Sequence, residues 1–359
     1  MFRRHIRQFV QQDLHRFIQQ VGPQLAPGAV NLALVTDTHD LTHWRQSLYG
    51  PSGYWHVLEQ HWLVEQLPIT YRVHLGDLVD GSEPGFLTQW RLKNIVADFA
   101  ASAEPFIITR GNHDDNDKFA EKNRRFVGSF PVQVFDRLVF SPERAQDGIS
   151  VSEHGLVVAD TDFVRVIAVN TSDVPARWIN GRKNYDVKKT LAVTAGQLRE
   201  LAQALATAES RDILIVSHAP AMNRRGKPAL KYNGQALHNL LRAFTHRLKG
   251  TVMLGDNPDF GGEVPFDFSA TAGDLIAVLA GHYHVEADYL VNGIHYSLQN
   301  VSALMGRRHA LTTKYNRTWN RQLNTPTEYA GYVVSVDPPS RSLQIFGYGA
   351  ASPERRFIY

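Results

Sequence analysis

Five short stretches of the sequence combine carboxylates or a carboxamide with imidazoles. They are Asp37-Thr38-His39, Gly76-Asp77-Leu78-Val79-Asp80, Gly111-Asn112-His113-Asp114, Ser217-His218 and Gly281-His282-Tyr283-His284. Such oxygen and nitrogen donors suit borderline first-row divalent metals. The chain has no cysteine, so disulfides, iron–sulfur clusters and thiolate zinc sites are excluded, and a metal must rest on His, Asp, Glu or Asn. Singly the stretches say little: an Asp-x-His is usually a solvated loop and a Gly-Asp a turn. Gly-Asn-His-Asp and Gly-His-x-His are more specific, the latter because alternate residues of an extended chain point the same way and can reach one ion. Placement strengthens the set. Asp37, Asp77, Asn112, His218 and His282 each follow an apolar run, and open α/β sheets gather ligands at the carboxyl ends of their strands.

Those runs belong to a regular alternation. Residues 31–36, 69–75, 105–109, 163–169, 212–217 and 275–280 read as buried strands, and 54–66, 86–102, 194–208 and 235–248 as helices, which predicts an α/β domain. Thr194 and Gln197 have the spacing of a capping box. Asn292-Gly293 inside 285–299 marks a hairpin. Two more hairpins are expected, one from 329–336 and 342–348 around Asp337-Pro338-Pro339-Ser340, and one over 149–160. Apolar residues at helical spacing, among them Phe9, Leu14, Phe17 and Val21, predict an amphipathic helix over 2–21, and Pro23 and Pro27 end it. The expected division is an N-terminal helix and linker over 1–28, then one domain over 29–359 with insertions near 222–232, 253–274 and 301–328. The helix is read as docked on its own domain, with a dimer or membrane-surface contact as alternatives.

Composition agrees with a soluble globular protein: of 359 residues, 43% are apolar and 20% charged, with a net charge of +3. No stretch approaches the ~18 apolar residues of a membrane span. Gln11, Gln12 and Asp13 interrupt what would be the apolar region of a secretory signal, so a cytoplasmic location is expected.

In order and content the five motifs resemble the calcineurin-like metallophosphoesterase family, whose pattern is Asp-x-His, Gly-Asp-x-x-Asp, Gly-Asn-His-Asp/Glu, His, Gly-His-x-His. The resemblance covers roughly residues 31–300. It implies an α/β (α+β) fold, a four-layer αββα sandwich of two mixed β-sheets flanked by helices. It also implies a dinuclear-metal-dependent hydrolase of phosphoesters. Carried over by position, Asp37, His39 and His284 would bind one divalent ion and Asn112, His218 and His282 a second, with Asp77 bridging. Manganese is expected, with iron, zinc or nickel also suited. Two ions so bridged would acidify water to a nucleophilic hydroxide. The resemblance makes His113 the general acid, with Asp80 holding its other nitrogen. Asp114 is expected to support its loop, Asp40 to be a loop residue, and His43, His56, His61 and His74 to be surface or core histidines.

One departure narrows the substrate. Protein Ser/Thr phosphatases of this family carry Arg after the second Asp of Gly-Asp-x-x-Asp, whereas Gly81 and Ser82 follow Asp80. The chain is therefore more similar to the bacterial-type phosphodiesterase and phosphatase branch, and a small phosphodiester or nucleotide is the expected substrate. Two basic segments lie beside the motifs, 222–232 with Arg224, Arg225, Lys227 and Lys231, and 303–321 with Arg307, Arg308, Lys314, Arg317 and Arg321 among His309, Tyr315 and Trp319. Arginine grips phosphate and aromatic faces stack bases; the alternative for each segment is a solvated loop. A nuclease is the second functional reading. A non-catalytic scaffold is a third, disfavoured because all seven ligand positions are kept. The acidic segment 253–274 is read as a solvated insertion whose spacing fits no calcium loop.

Overall fold

The computed structural model describes residues 6–41, 53–122, 129–179, 182–304 and 321–359. After helix α1 (Gln8–Val21) the chain alternates β1 (Val30–Val35), α2 (Gly53–Val64), β2 (Tyr71–His74), α3 (Gly85–Phe99) and β3 (Phe106–Ile108), and the three strands are parallel neighbours. Short helices α4 (Asp117–Lys122), α5 (Val132–Phe135) and α6 (Ser141–Arg144) lead to β4 (Ile149–Val151), β5 (Val157–Asp160) and β6 (Val164–Val169). A small hairpin, β7 (Trp178–Ile179) and β8 (Arg182–Lys183), precedes α7 (Ala195–Ala206), β9 (Asp212–Ser217) and α8 (Gly234–Thr245). The hairpin β10 (Lys249–Met253) and β11 (Glu263–Asp267) is followed by β12 (Leu275–Ala280), β13 (Ala287–Val291) and β14 (Ile294–Leu298). Finally β15 (Ala330–Asp337), β16 (Ser342–Gly349) and β17 (Glu354–Ile358) return to the first sheet.

Two mixed sheets result, ordered β17-β16-β15-β1-β2-β3 and β13-β14-β12-β9-β6-β5-β4. Side-chain alternation divides each strand between layers. Leu32 and Leu34 of β1 face a shared core with Val166, Leu214, Val216 and Leu279 of the second sheet. Ala33, between them, faces outward onto α1 and α2. On the second sheet Ile213 and Ile215 face the opposite way and pack under α7 and α8. This is the expected four-layer arrangement of two mixed sheets flanked by helices.

Helix α1 buries Val10, Leu14, Phe17 and Val21 against the outer face of the first sheet, each side chain contributing on the order of 1.5–3 kcal/mol. Polar contacts fix its start. Arg7 bridges Glu59 on α2 at 2.7 Å and Glu328 at 2.6 Å, and Tyr329 donates to Asp13 at 2.8 Å. Among the described residues, no helix is long and apolar enough to cross a membrane.

Several details differ from the sequence reading. The Thr194 hydroxyl caps α7 by accepting from the Gln197 amide at 3.3 Å, but the Gln197 side chain turns to Asn170 O and Asp173. Asp173 instead accepts from the Thr194 amide at 2.9 Å, completing the cap. The acidic segment begins at Met253, the last residue of β10, and includes β11, so part of it is a hairpin rather than a loose insertion. Val264 and Phe268 belong to the core under α7 and α8. Three of its acids have cationic or phenolic partners: Asp259 with Arg177 and Tyr185, Asp267 with Lys249, and Asp274 with Arg247 and Arg341.

Candidate metal centre

The five motif loops leave the carboxyl ends of β1, β2, β3, β9 and β12 and converge where the two sheets meet. Backbone hydrogen bonds join them: Asp37 N to Gly76 O at 3.0 Å, His39 N to Asp77 O at 3.0 Å, and Gly281 N to His218 O at 2.9 Å. The approach is too close for side chains at all three motif glycines. A Cβ on Gly111 would lie 2.0 Å from the Asp77 amide nitrogen, one on Gly281 2.1 Å from Thr36 Oγ1, and one on Gly76 2.6 Å from the Gly111 amide nitrogen. These motif glycines are thus required by packing. Asp114 ties two loops together, its Oδ2 accepting from the Asp77 and Gly111 amides at 3.0 and 2.8 Å and its Oδ1 from the Val79 amide at 3.2 Å.

Asp37, His39, Asp77, Asn112, His218 and His284 are buried, while His282 and His113 are half-buried. Their donor atoms form two groups that share Asp77. In one, His284 Nε2 lies 3.0 Å from Asp37 Oδ1 and 3.3 Å from His39 Nε2, and His39 Nε2 lies 3.7 Å from both Asp37 Oδ1 and Asp77 Oδ2. In the other, His218 Nε2 lies 3.4 Å from Asp77 Oδ2, 2.9 Å from Asn112 Oδ1 and 3.2 Å from His282 Nδ1, which is 3.1 Å from Asn112 Oδ1. Among the described residues, every set of three or more carboxylates and imidazoles close enough to share an ion lies in these loops.

The electrostatics fit cations. Burial alone would raise Asp37 and Asp77, yet neighbouring imidazoles, His284 foremost for Asp37 and His218 for Asp77, hold both carboxyls well below the usual carboxylate range. Burial pushes His39 down to about 4 and His282 to about 3, keeping both neutral with lone pairs available. Burial also opposes charge on His218, but Asp77 and Asp37 outweigh it and raise the imidazole to about 9. Two buried carboxylates thus draw a positive charge to their midst, and oxygen and imidazole donors of this kind suit two divalent ions.

Other side chains find structural places. The carbonyl of Asp80, rather than its carboxylate, accepts from His113 Nδ1 at 2.9 Å. The Asp80 carboxylate binds Lys118 and Ser82, so Asp80 holds the other nitrogen of His113, as expected, but through its main chain. Lys118 was not anticipated, since nothing in its spacing distinguishes it from a surface lysine. His74, expected to be a surface or core histidine, is buried and braces two loops through Thr38 Oγ1 at 2.9 Å and the Gly76 amide at 3.1 Å. Asp40 turns to Arg91 at 2.7 Å. Arg321 is buried and donates to the carbonyls of Val301, Ser302, Thr327 and Glu328, so it braces the chain and cannot grip phosphate as the sequence reading allowed. His43, Arg307, Arg308, His309, Lys314, Tyr315, Arg317 and Trp319 lie outside the described residues.

Two facing sheets with buried imidazoles and carboxylates at their strand ends define a scaffold for a dinuclear metal hydrolase. The calcineurin-like phosphoesterase family matches residues 30–286, and the chain belongs to that family as a metallophosphoesterase. In structure it is similar to a dimetal phosphatase from Danio rerio, with 12% identity and a TM-score of 0.56, covering 92% of this chain and 99% of that one. It is also similar to a purple acid phosphatase from yellow lupin seeds, with 13% identity and a TM-score of 0.49, covering 92% of this chain and 54% of that one. At 12% identity the likeness to the dimetal phosphatase shows the fold alone. No curated protein matches the chain in sequence.

Proposed function

We propose that the chain hydrolyses a small phosphodiester or nucleotide at a dinuclear metal centre, with Asp37, His39 and His284 holding one ion, Asn112, His218 and His282 the other, and Asp77 both. The observation carrying this reading is the sharing of Asp77, whose Oδ2 lies 3.7 Å from His39 Nε2 and 3.4 Å from His218 Nε2. Two divalent ions, manganese foremost, would supply Lewis acidity toward the phosphoryl oxygens and acidify water.

The chain's own residues do the rest. Asp77 Oδ1 accepts from the His113 amide at 2.8 Å, fixing the general acid relative to the bridging carboxylate. A carbonyl can only accept, so Asp80 O fixes the proton on His113 Nδ1. Any proton given to a leaving oxygen therefore comes from Nε2 of the imidazolium. Preference for a diester is supported at Gly81. Its φ is 66°, and a Cβ there would lie 2.3 Å from His113 O, so this loop has no room for the arginine of the protein-phosphatase branch. A monoanionic diester loses less by that than a dianionic monoester.

The test compares kcat/KM of metal-loaded protein on bis(p-nitrophenyl) phosphate, p-nitrophenyl phosphate and a phosphopeptide. The diester should be hydrolysed best; preference for the phosphopeptide would contradict the substrate assignment.

A further inference from the structure

Tyr283 stands between the two histidines of the fifth motif, and the proposed chemistry does not use it. Its side chain is 36% exposed, and its ring meets that of His282 edge-on with centroids 5.2 Å apart. It lines a cavity of about 430 Å³ with Val285, Tyr289, Asn223, Arg224 and Arg225.

This cavity has a firm wall. Tyr289 stacks on Tyr296 at 5.4 Å with ring planes 5° apart, and its hydroxyl donates to Met222 O at 2.8 Å. The adjoining turn is closed by Asn223, whose side-chain oxygen accepts from the amides of Arg225 at 2.9 Å and Lys227 at 3.1 Å. That turn presents Arg224 and Arg225, both exposed. Small-ligand sites have this size and this mixture of apolar wall with a few polar groups. Aromatic faces stack planar rings, and an exposed guanidinium donates to phosphate oxygens or a carbonyl edge.

We propose that this cavity receives the nucleobase of a nucleoside phosphodiester, the ring lying against Tyr283 and Tyr289 and the polar edge or an adjoining phosphate meeting Arg224 and Arg225. The inference rests on the metal-centre reading above, because the Tyr283 ring that lines the cavity lies 5.2 Å from the ring of His282, one of the proposed ligands.

Two diesters with the same charge and leaving group isolate this role: thymidine 5′-(p-nitrophenyl) phosphate and methyl p-nitrophenyl phosphate. In both, water adds to phosphorus and gives up a proton to solvent, the bond to the nitrophenyl oxygen breaks, and nitrophenolate departs with the bonding pair, leaving the phosphomonoester. The readout is the ratio of their kcat/KM values for manganese-loaded full-length protein. The wild type should favour the nucleoside ester roughly tenfold or more, as stacking of one base implies. Tyr283→Leu should bring the ratio close to one, and the double variant Arg224→Ala/Arg225→Ala should lower it several-fold. A wild-type ratio near one, or an unchanged ratio in both variants, would overturn the inference. Should Tyr283→Leu not fold, the wild-type ratio and the arginine variant on its surface turn decide the matter. If loaded wild type cleaves neither ester, the metal-centre reading fails and the inference with it; equal cleavage of both overturns the inference alone.

Discussion

Asp37, His39, Asp77, His282 and His284 all have positive φ, between 44° and 66°. This region is costly for residues with a Cβ, on the order of 1–3 kcal/mol each, and persists where the surroundings over-determine it. Here the loop-to-loop hydrogen bonds and the two glycine contacts supply that determination. The cost fits a function in which donor atoms must face inward from sharp turns. His113 differs: Asp77 Oδ1 and Asp80 O hold it, and the proposed ligand sets do not include it. His113→Ala should therefore retain metal while turnover of an alkyl phosphodiester falls by roughly 10²–10⁴-fold. Loss on a nitrophenyl ester should be far smaller, since nitrophenolate leaves without a proton. Equal losses on both substrates would show that His113 orients a ligand instead.

A second residue-scale prediction lies away from the metals. Glu143 is fully buried, with Oε1 accepting from the Ile108 amide at 2.9 Å and no hydrogen bond to Oε2 among the described residues. Burial pushes its carboxyl well above the ordinary value of 4.5. The folded state thus keeps a proton that the unfolded chain has lost, and stability falls as pH rises above about 4.5 until the folded-state value is passed. Glu143→Gln should remove that slope, so its stability relative to wild type should rise between pH 4.5 and 8 in urea unfolding. A constant difference across this range would mean that Glu143 is ionised in the fold.

At the scale of elements, Asp114 is the joint between the second and third motif loops. Its carboxyl is pushed up to about 7 by burial and by the charge of Asp77, yet three amides point at it. Asp114→Ala should leave those amides unpaired, at about 1–3 kcal/mol for each group that finds no water. Because it joins the loops bearing Asp77 and Asn112, the variant should also lose metal to a chelator faster than wild type. Unchanged metal release would make Asp114 dispensable to the centre. The elements themselves were largely legible. The six apolar runs became β1, β2, β3, β6, β9 and β12, each within a residue or two, because buried parallel strands read as continuous apolar stretches. Asn292-Gly293 turned the β13–β14 hairpin, with φ of 49° and 83°. What escaped was structure without periodicity. The short helices α4, α5 and α6 lack a full amphipathic repeat, and β11 is broken by Pro265. The pairing of β1 with β15 joins segments some three hundred residues apart and leaves no local mark. The metal motifs could be read because their types and order are constrained by chemistry, whereas the Tyr283–Tyr289 cavity depends on tertiary placement.

At the scale of the whole molecule, α1 is linked to the metal loops through buried polar groups. Arg7 binds Glu328, and Arg321 ties Glu328 O to Ser302 O at 2.6 and 2.8 Å. Ser302 in turn accepts from or donates to His56 Nδ1 at 3.1 Å and donates its amide to Thr36 O at 2.9 Å, next to Asp37. Burial raises Glu59 to about 8 even with Arg7 beside it, whereas His56 and Arg7 overcome burial at Glu328 and hold it well below the usual carboxylate range, so Glu328 is the charged partner of Arg7 at neutral pH. Arg7→Ala should cost on the order of 3 kcal/mol in urea unfolding, since it leaves buried carboxyls without their partner. A loss below about 0.5 kcal/mol, the scale of an ordinary surface substitution, would show that α1 is anchored by its apolar face alone.

The central claim is that Asp77 serves two ions in one centre. Metal content by mass spectrometry, on wild type and Asp77→Asn after reconstitution with manganese, iron, zinc and nickel in turn, tests it most directly. Wild type should hold about two ions per chain, with activity abolished by chelation and restored by metal, and Asp77→Asn should show impaired occupancy of both positions. Stoichiometry near zero for every metal, or an Asp77→Asn protein with full metal content and full rate, would contradict it.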